Sequence, residues 1–599
     1  MLMKHLSEIE YYLIIESLIY FLSIIFILFY FLRKNTNPMV FLVTLAMWFF
    51  NGFIIIILPF DIYLSNYQKN ESKVINLQNK IRTLYSICYW STSLISSLLI
   101  PLITQYENSG YFTKREKIIY SIKSNLKFYG LISLLGIVLF IWAYFKLSQE
   151  TKEYFLKNCF NFSYVYGFFF LVLLLGYSIP KLPLNIYEKI FYKQTIKSLE
   201  NNAKLLKKNL DDVNKDLVDT YYKLVNIEEK IKIKKQLKEQ KKLESLDDII
   251  KDKETEEKKI RQYEQFLNQK INYIKKNEKL FKIKIKKINF EPAEEFEMEE
   301  LPDKIASLNI KLKENEWDNL RIQCQLQSTY NDWCYLKTIV IKGKKYKSSL
   351  IDQQLRESKL KLMGLEEEFI PLKKISKIMV LYYMKIHPLI LFLFAFIFFI
   401  LGIIILLSEL CIILPWRISV FSIINYWITN VFKIQIFIIS SIFIFYFMSV
   451  YALMNFKLTK NYRVYGPRQT DAVSILYFTS NFCKITFPLS LNILIMMNHG
   501  DNEAKKTCLE NDFGININNQ IFVLIAKYSP LLLFFFVVLN MFGIFTKIID
   551  CFSVEAFSSL FSSNNKEEAN NGYDYLININ KEKKGELITE SIMDKIIDV

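Results

Sequence analysis

Long blocks of apolar residues, separated by charged segments, form the main pattern of this chain. A run of about 20 apolar residues, rising about 1.5 Å per residue, covers the roughly 30 Å hydrocarbon core of a bilayer. In lipid, every backbone amide and carbonyl must be satisfied internally, so such a run must be helical. The pattern predicts nine membrane-spanning helices, over residues 12–32, 39–59, 84–104, 126–146, 160–180, 386–408, 432–455, 472–496 and 522–546.

The predicted spans fall into a group of five and a group of four, separated by a long polar segment. We therefore predict an all-α polytopic membrane protein. Residues 1–183 hold spans one to five, residues 184–380 form a large cytosolic helical loop, and residues 381–550 hold spans six to nine. Residues 551–599 are polar and charged, and we predict that they are mostly disordered.

Segment 410–431 is apolar but is interrupted by Pro415 and Arg417. Aromatic residues near its ends, such as Trp416 and Trp427, are typical of a membrane interface. We interpret the segment as an outer interfacial or re-entrant loop, and a tenth span is the alternative.

The long loop carries the heptad spacing of a coiled coil, because apolar positions alternate steps of four and three. These positions are Leu206, Leu210, Val213, Leu217, Thr220, Leu224, Ile227 and Ile231. An acidic segment with two prolines, 289–303, breaks the helix, and further helices are predicted over 303–340 and 348–366. Both ends of the loop must return to the membrane, which favours an antiparallel hairpin. The helices either pack only on each other or dock a cytosolic protein.

Lysine and arginine are concentrated at the flanks of the long loop and around 457–468. The positive-inside rule then places the N-terminus outside or in a lumen, and the C-terminus in the cytosol. The sequon Asn70-Glu71-Ser72 falls on the outer side, so Asn70 is a candidate glycosylation site. The pattern fits the plasma membrane and an endomembrane equally.

Composition excludes several classes of protein. The formal net charge of +17 fits cytosolic lysine beside anionic lipid, whereas a nucleic-acid binder needs a motif or an aromatic stacking platform that we do not find. The eight cysteines form no CxxC pair and there are only three histidines, so no metal site is predicted. No signature of a hydrolase, nucleotide-binding or zinc enzyme occurs, so we predict no catalytic residue and no cofactor.

Lys484 lies about twelve residues into the eighth predicted span, near the bilayer midplane. A lysine there costs roughly 2.5–3.5 kcal/mol on insertion scales, and its stem reaches only part of the way to the interface. We expect Lys484 to face the bundle interior or a wet cavity, with Asn492 of the same helix as a candidate acceptor. This polar site is either structural or a contact for a ligand or ion.

Three polar residues, Gln469, Thr470 and Asp471, directly precede span eight. Thr470 or Asp471 can cap the first turn and complement the helix dipole, and a partner contact at the inner surface is the alternative. Pro488 and Pro530 lie inside spans eight and nine and predict kinks, because each removes a backbone hydrogen bond. Such kinks are structural or open a polar cavity, as in transporters.

Three further charged residues lie near the outer ends of predicted spans: Glu16, Glu409 and Lys527. We expect all three to be solvated near an interface. Asp61 follows Pro59, and we expect it to begin the outer loop.

Several stretches resemble the limb-region-1-like (lipocalin-receptor-type) membrane proteins, in the branch of limb-region-1 domain-containing protein 2. The most specific stretch is RQTDAVSILYFTSNFCKITFPLSLNIL at 468–494. The others are ILPFDIY at 57–63, YWSTSLISSLLIPLITQYENSGYFT at 89–113, YGFFFLVLLLGYSIPKLP at 166–183, SELC at 408–411 and YSPLLLFFF at 528–536. Where the family usually has Pro-Arg and an aromatic after span five, this chain has Pro180-Lys181-Leu182.

The resemblance implies a nine-span receptor-like or trafficking protein without catalytic activity. The family is linked to endocytosis, receptor signalling, lipocalin uptake and lysosomal cobalamin handling. Our first hypothesis is a non-enzymatic scaffold whose loop docks a cytosolic protein, with the bilayer and a second copy of the chain as further partners. The alternative is a transporter or channel for a small or lipidic solute, with a midmembrane polar site around Lys484.

Overall fold

The regular structure of the chain is helical. The computed structural model describes residues 2–34, 36–65, 72–146, 149–242, 264–281, 283, 301–347, 376–413, 420, 423, 447–454, 462, 464–497, 507–513 and 520–544. Within these residues there is one isolated β-bridge, between Leu32 and Thr470, so the all-α prediction is confirmed. Asn70, the tail over 551–599, the loop helix over 348–366, most of 410–431 and most of span seven lie outside the described residues.

Sixteen helices cover the described residues, and two short π-helical stretches, Ile95–Leu99 and Tyr382–Ile386, continue α3 and α11. In chain order the helices are α1 (Leu2–Phe31), α2 (Pro38–Ser65), α3 (Ser72–Leu94), α4 (Ile100–Asn108), α5 (Lys114–Lys146), α6 (Gln149–Glu188), α7 (Tyr192–Lys242), α8 (264–276), α9 (Glu278–Phe281), α10 (Leu301–Lys347), α11 (Lys377–Leu381), α12 (His387–Ile413), α13 (447–454), α14 (Ala472–Met497), α15 (Cys508–Phe513) and α16 (Gln520–Met541).

Within the described residues, five helical stretches are long and apolar enough to cross a membrane. They are Leu13–Phe31, Pro38–Ile62, Val74–Asn108, Tyr166–Glu188 and Ile378–Cys411, and they match predicted spans one, two, three, five and six. A shorter apolar stretch, Tyr528–Met541, lies in predicted span nine. These stretches support a multi-pass membrane protein, while the count of nine and the grouping of five and four stay predictions.

The chain divides into two compact units. The membrane unit is drawn from Met1–Glu107, Lys123–Ile190 and His387–Asn564. The helical unit takes its described residues from Asn108–Ile122 and Phe191–Ile386. The sequence did not anticipate that Asn108–Ile122 belongs to the helical unit, because this segment lies between two predicted spans.

Helix α6 is the central packing element of the membrane unit, where it contacts α12, α14 and α16. Glycine brings the backbones close together at two of these contacts. A Cβ atom at Gly167 would lie 2.5 Å from the carbonyl oxygen of Lys484, and one at Gly176 would lie 2.6 Å from Cβ of Phe536. Small residues at such crossings allow close van der Waals packing between membrane helices, where the hydrophobic effect contributes little.

In the helical unit, α7 and α10 pack side by side in antiparallel order. Asn214 of α7 pairs with Asn319 of α10, and Glu200 pairs with Trp333, so positions later in one helix meet positions earlier in the other. The predicted seam faces this interface: Leu210, Leu217, Thr220, Leu224, Ile227 and Ile231 are buried, and Leu206 and Val213 are half-buried. The antiparallel pairing predicted from the loop ends is therefore confirmed for these two helices.

A polar network crosses this apolar interface. The Asn319 amide donates to Oδ1 of Asn214 at 2.5 Å and to the carbonyl of Phe281 at 3.0 Å. The Gln323 amide donates to Oδ1 of Asn319 at 2.7 Å and to the carbonyl of Leu280 at 3.0 Å. Because an unpaired polar group in such a seam is costly, the network favours this register of the two helices and the docked position of α9.

The segment between α4 and α5 packs directly on α10. The side-chain amide of Asn309 donates to the carbonyl of Gly110 at 2.8 Å, and the Tyr111 hydroxyl donates to Oδ1 of Asp303 at 2.5 Å. A Cβ atom at Gly110 would lie only 1.8 Å from the carbonyl oxygen of Ala306. Since that neighbour is backbone, the contact requires glycine.

We predict that Gly110→Ala detaches this segment from α10. The added methyl group cannot be accommodated against the Ala306 carbonyl, and the Asn309 hydrogen bond is lost with it. Amide hydrogen exchange of residues 108–113 in the full-length chain should accelerate by roughly tenfold or more, since a lost buried hydrogen bond costs about 1–3 kcal/mol.

Gly130→Ala in α5 is the matched control, because nothing lies within 4 Å of a Cβ atom at that position. We expect this variant to exchange as the unmodified chain does, or slightly more slowly, since alanine favours the helix. Equal exchange at 108–113 in both variants would contradict the close contact.

Candidate functional site

Helix α14 carries three of the candidate residues, Lys484, Pro488 and Asn492, and its first turn is capped by Asp471. The backbone amide of Ser474 donates to Oδ2 of Asp471 at 2.9 Å. A carboxylate here satisfies a free amide of the first turn and complements the positive end of the helix dipole. The capping role predicted for Asp471 is confirmed.

Thr470 fixes the loop that precedes this helix. Its hydroxyl donates to the carbonyl of Tyr465 at 2.6 Å and accepts from the amide of Tyr465 at 3.0 Å. The amide of Thr470 also donates to the carbonyl of Phe31 at 3.1 Å, and the amide of Arg468 donates to that of Tyr30 at 2.7 Å. These bonds satisfy carbonyls at the end of α1, which lack partners in their own helix. Thr470 therefore ties the end of α1 to the start of α14.

Gln469 lies in the same loop and is half-buried. Its neighbours Arg468, Thr470 and Asp471 make the hydrogen bonds that fix the loop. A partner contact through Gln469, Thr470 and Asp471 stays a prediction.

The structure does not bring Lys484 and Asn492 together. Lys484 is exposed on the membrane unit, and its Nζ lies 3.5 Å from Oδ1 of Asn481, one turn earlier. The expectation that Lys484 faces the bundle interior or a wet cavity stays a prediction, whereas the hydrogen-bond partner of Lys484 is Asn481 and not Asn492. The backbone of α14 at Lys484 packs closely against Gly167 of α6.

Asn492 pairs with Glu409 of α12 instead. Its side-chain amide donates to Oε1 of Glu409 at 2.5 Å, and the glutamate is only 3% exposed. Our expectation that Glu409 is solvated near an interface is therefore wrong. The pair joins α12 to α14 by a hydrogen bond within an apolar cluster, where an unpaired carboxyl or amide would be costly.

Asp61 does not simply begin a loop, as the sequence had suggested. It is 1% exposed, and its two carboxylate oxygens accept from the amides of Cys508 and Leu509 at 2.9 and 3.0 Å. This carboxylate caps the short helix α15 and joins it to α2. Sequence reasoning missed the role because the partners lie more than 440 positions away along the chain.

Helix α2 is also joined to α14 by polar side chains. The Trp48 indole donates to the Thr479 hydroxyl at 3.0 Å. One turn further along α2, the Asn51 amide donates to Sγ of Cys483 at 2.7 Å. Together with the bond between Glu409 and Asn492, these contacts join α14 to both α2 and α12 by side-chain hydrogen bonds.

Pro488 and Pro530 lie inside α14 and α16, and both are buried. A Cβ atom at Gly167 would lie 2.7 Å from the ring of Pro488, so the proline forms part of the close crossing of α6 and α14. The kinks stay a prediction.

The polar side chains of these helices form hydrogen bonds that hold neighbouring helices together. Among the described residues, no group of three or more histidine, cysteine or acidic side chains could hold a metal ion. Three side chains of α14, those of Thr479, Cys483 and Asn492, bond to neighbouring helices. The side chains of Lys484, Thr486 and Ser490 bond within α14. The candidate site thus consists of hydrogen bonds between helices, together with the exposed side chain of Lys484.

We predict that Asn492→Leu destabilises the membrane unit more than Glu409→Gln does. Leucine leaves the buried Glu409 carboxyl without its donor, whereas glutamine keeps an oxygen acceptor for Asn492. The expected cost of Asn492→Leu is about 1–2 kcal/mol, measured as a lower thermal unfolding midpoint in detergent micelles. A larger loss for Glu409→Gln than for Asn492→Leu would contradict a role limited to this hydrogen bond.

A family model described as LMBR1-like membrane protein matches residues 10–545. The "G-protein coupled receptor-associated protein LMBRD2" of Caenorhabditis briggsae is 26% identical over 179 residues, covering 26% of this chain and 27% of that protein. The "LMBR1 domain-containing protein 2 homolog A" of Dictyostelium discoideum is 26% identical over 156 residues, covering 26% and 21%. The "LMBR1 domain-containing protein 2 homolog" of Drosophila melanogaster is 30% identical over 121 residues, covering 20% and 16%.

The matched part of the chain thus spans about a quarter or less of the length of these relatives. No solved structure matches the chain. The family model, in contrast, covers more than half of the chain and all five of the helical stretches long enough to cross a membrane. The chain belongs to the LMBR1-like membrane protein family.

Proposed function

We propose that this chain is a non-enzymatic membrane scaffold that associates with membrane receptors and docks a cytosolic protein through its helical unit. One relative carries the name of a G-protein coupled receptor-associated protein, which supports the receptor association. The family membership supports the scaffold role without naming a partner.

One observation supports docking of a protein on the helical unit. The apolar side chains of this unit pack against each other, and a charged face of α7 is still exposed. Its seam is filled by one apolar cluster around Leu217 and Leu312 and by a second around Leu326 and Trp333. The opposite face of α7 exposes charged residues at helical spacing, namely Lys208, Asp212, Lys215, Asp219 and Lys223. Packing of the two helices therefore leaves this face available, and its alternating charges suit a polar protein surface.

The proposal includes a topology. It has nine spans in groups of five and four, with the N-terminus outside or in a lumen and the helical unit and C-terminus in the cytosol. Domain boundaries near 183, 380 and 550 are part of it, and the host membrane is the plasma membrane or an endomembrane. The lysine-rich flanks of the loop support this orientation.

Co-immunoprecipitation of the full-length chain with a co-expressed G-protein-coupled receptor tests the function. We expect the receptor and a cytosolic protein to be recovered with the unmodified chain. The triple variant Lys208→Glu, Lys215→Glu, Lys223→Glu should lower recovery of the cytosolic protein by roughly tenfold or more, because reversed charges oppose a complementary surface.

The matched control is Lys208→Arg, Lys215→Arg, Lys223→Arg, which keeps the charge of the face and should keep recovery. A chain lacking 195–370 that still reaches the membrane should lose the cytosolic protein as well. If the charge-reversed variant recovers that protein fully, α7 is not the docking face. If the unmodified chain recovers no receptor, the receptor association is wrong.

A transporter or channel is the second candidate, favoured by the exposed cation of Lys484 within α14. A lysine in a membrane helix whose hydrogen-bond partner is a neutral amide, as Asn481 is here, would attract a small anion or an acidic lipid. We expect Lys484→Met to reduce chloride or lactate uptake into proteoliposomes to the level of protein-free vesicles, and Lys484→Arg to preserve it. Unchanged uptake in Lys484→Met, or no uptake by the unmodified chain, would contradict this candidate.

A further inference from the structure

The hydrogen bond between Asn492 and Glu409 involves a carboxyl group in an apolar part of the membrane unit. Both side chains are 3% exposed. Ile405 lies one turn before Glu409, and Leu491 and Ile493 flank Asn492, and all three are buried in the same apolar cluster. A carboxylate charge in such surroundings is strongly unfavourable unless a cation or a proton neutralises it.

No basic side chain neutralises Glu409. Helices α6, α13, α14 and α16 pack on α12. Their titratable side chains, within the part of the chain that the structure describes, are Tyr166, Tyr177, Lys181, Tyr187 and Glu188 of α6, Tyr451 of α13, Cys483 and Lys484 of α14, and Tyr528 of α16. None of them acts on the Glu409 carboxyl, whose surroundings are set by burial and by the Asn492 amide.

The one polar partner of Glu409 is neutral. The Asn492 amide donates to Oε1 at 2.5 Å and carries no net charge, so it does not balance a carboxylate. Oε2 has no hydrogen-bond partner among the described residues, which leaves one carboxyl oxygen available for a proton. A proton on Oε2 makes the pair neutral and preserves the bond from Asn492, because Oε1 remains an acceptor.

The pair lies close to the same end of two helices. Glu409 is four residues before the last residue of α12, and Asn492 is five residues before the last residue of α14. At about 1.5 Å per residue, the pair is roughly 6–8 Å from these helix ends. Water at that end of the membrane unit can therefore deliver and accept a proton, which does not have to cross the hydrocarbon core.

We propose that Glu409 is a reversible proton-binding site that couples the packing of α12 on α14 to the pH of the adjoining compartment. In the proton-bound state Glu409 is a neutral acid, and the two helices pack closely. Transfer of the proton from Oε2 to water leaves a carboxylate, whose charge is stabilised only where water reaches it, so the two helix ends separate.

The proposed topology puts these helix ends on the outer or luminal side. Acid in that compartment then keeps α12 and α14 together, and a rise in pH loosens them. Proton binding at Glu409 requires neither the receptor association nor the docking face of α7. Failure of either would leave the proton site in place.

Infrared spectroscopy of the full-length chain in nanodiscs tests proton binding, because a protonated carboxyl and a carboxylate absorb at different frequencies. We expect a protonated carboxyl band at acid pH that shifts with isotope-labelled glutamate and disappears in mildly alkaline buffer. Glu409→Gln should lack this band. If Glu409→Gln and the unmodified chain give the same spectra at every pH, or if the band persists in alkaline buffer, reversible binding at Glu409 is overturned.

Glu107→Gln is the matched control. Glu107 also accepts from an asparagine amide, that of Asn37 at 3.0 Å, but it is only half-buried. Because water reaches this carboxyl, we expect Glu107→Gln to retain the band and its pH dependence. Loss of the band in Glu107→Gln would assign the proton to the wrong pair and overturn the proposal.

Asn492→Leu provides a second, independent signature. It keeps the Glu409 carboxyl and removes its hydrogen-bond donor, so the band should remain and move to higher frequency. An unmoved band would show that the proton is not held at this pair. A cooperative thermal unfolding transition in each variant shows that the membrane unit is folded.

Amide hydrogen exchange tests whether the proton controls the helix ends. One proton changes a conformational equilibrium by at most about tenfold per pH unit. After correction for intrinsic exchange rates, we expect protection of residues 405–413 and 489–497 to fall by up to about tenfold per pH unit in alkaline buffer. Protection in Glu409→Gln should stay constant. An equal fall in both chains would overturn the coupling.

Discussion

The absence of water in the bilayer core is the constraint on which this structure depends. It requires each spanning backbone to satisfy its own polar groups, and so it requires helices. It also removes most of the hydrophobic drive for one helix to pack on another, so close packing and side-chain hydrogen bonds must hold the bundle together. Gly167 and Gly176 allow this close packing around α6, and Asn492 with Glu409 supplies one of the bonds.

The same constraint explains why polar side chains are concentrated on α14. Trp48 and Thr479, Asn51 and Cys483, and Glu409 and Asn492 each pair a group of α14 with a group of another helix. Each pair removes an unsatisfied group from an apolar surrounding and at the same time selects one arrangement of the helices. The loop before α14 extends this role, because Thr470 satisfies the end of α1 through its backbone.

Helix class, five of the spans and the α7 seam could be predicted from the sequence, because each depends on a local period that the residues themselves carry. The helix cap at Asp471 is equally local. The roles of Asp61 and Glu409, and the hydrogen-bond partner of Lys484, could not be predicted in this way. Position within a span gives depth in the membrane, but the direction of a side chain around the helix depends on which helices are neighbours, and those neighbours come from distant segments.

The helical unit is built differently, since charged side chains cover much of its exposed surface. An apolar seam is enough to pair α7 with α10, and polar groups are needed only to select the register, as Asn214 and Asn319 do. The outer face of α7, opposite the seam, alternates charge and therefore tolerates water. A face of this kind needs no apolar cover, so the partner that suits it is a polar protein surface of complementary charge.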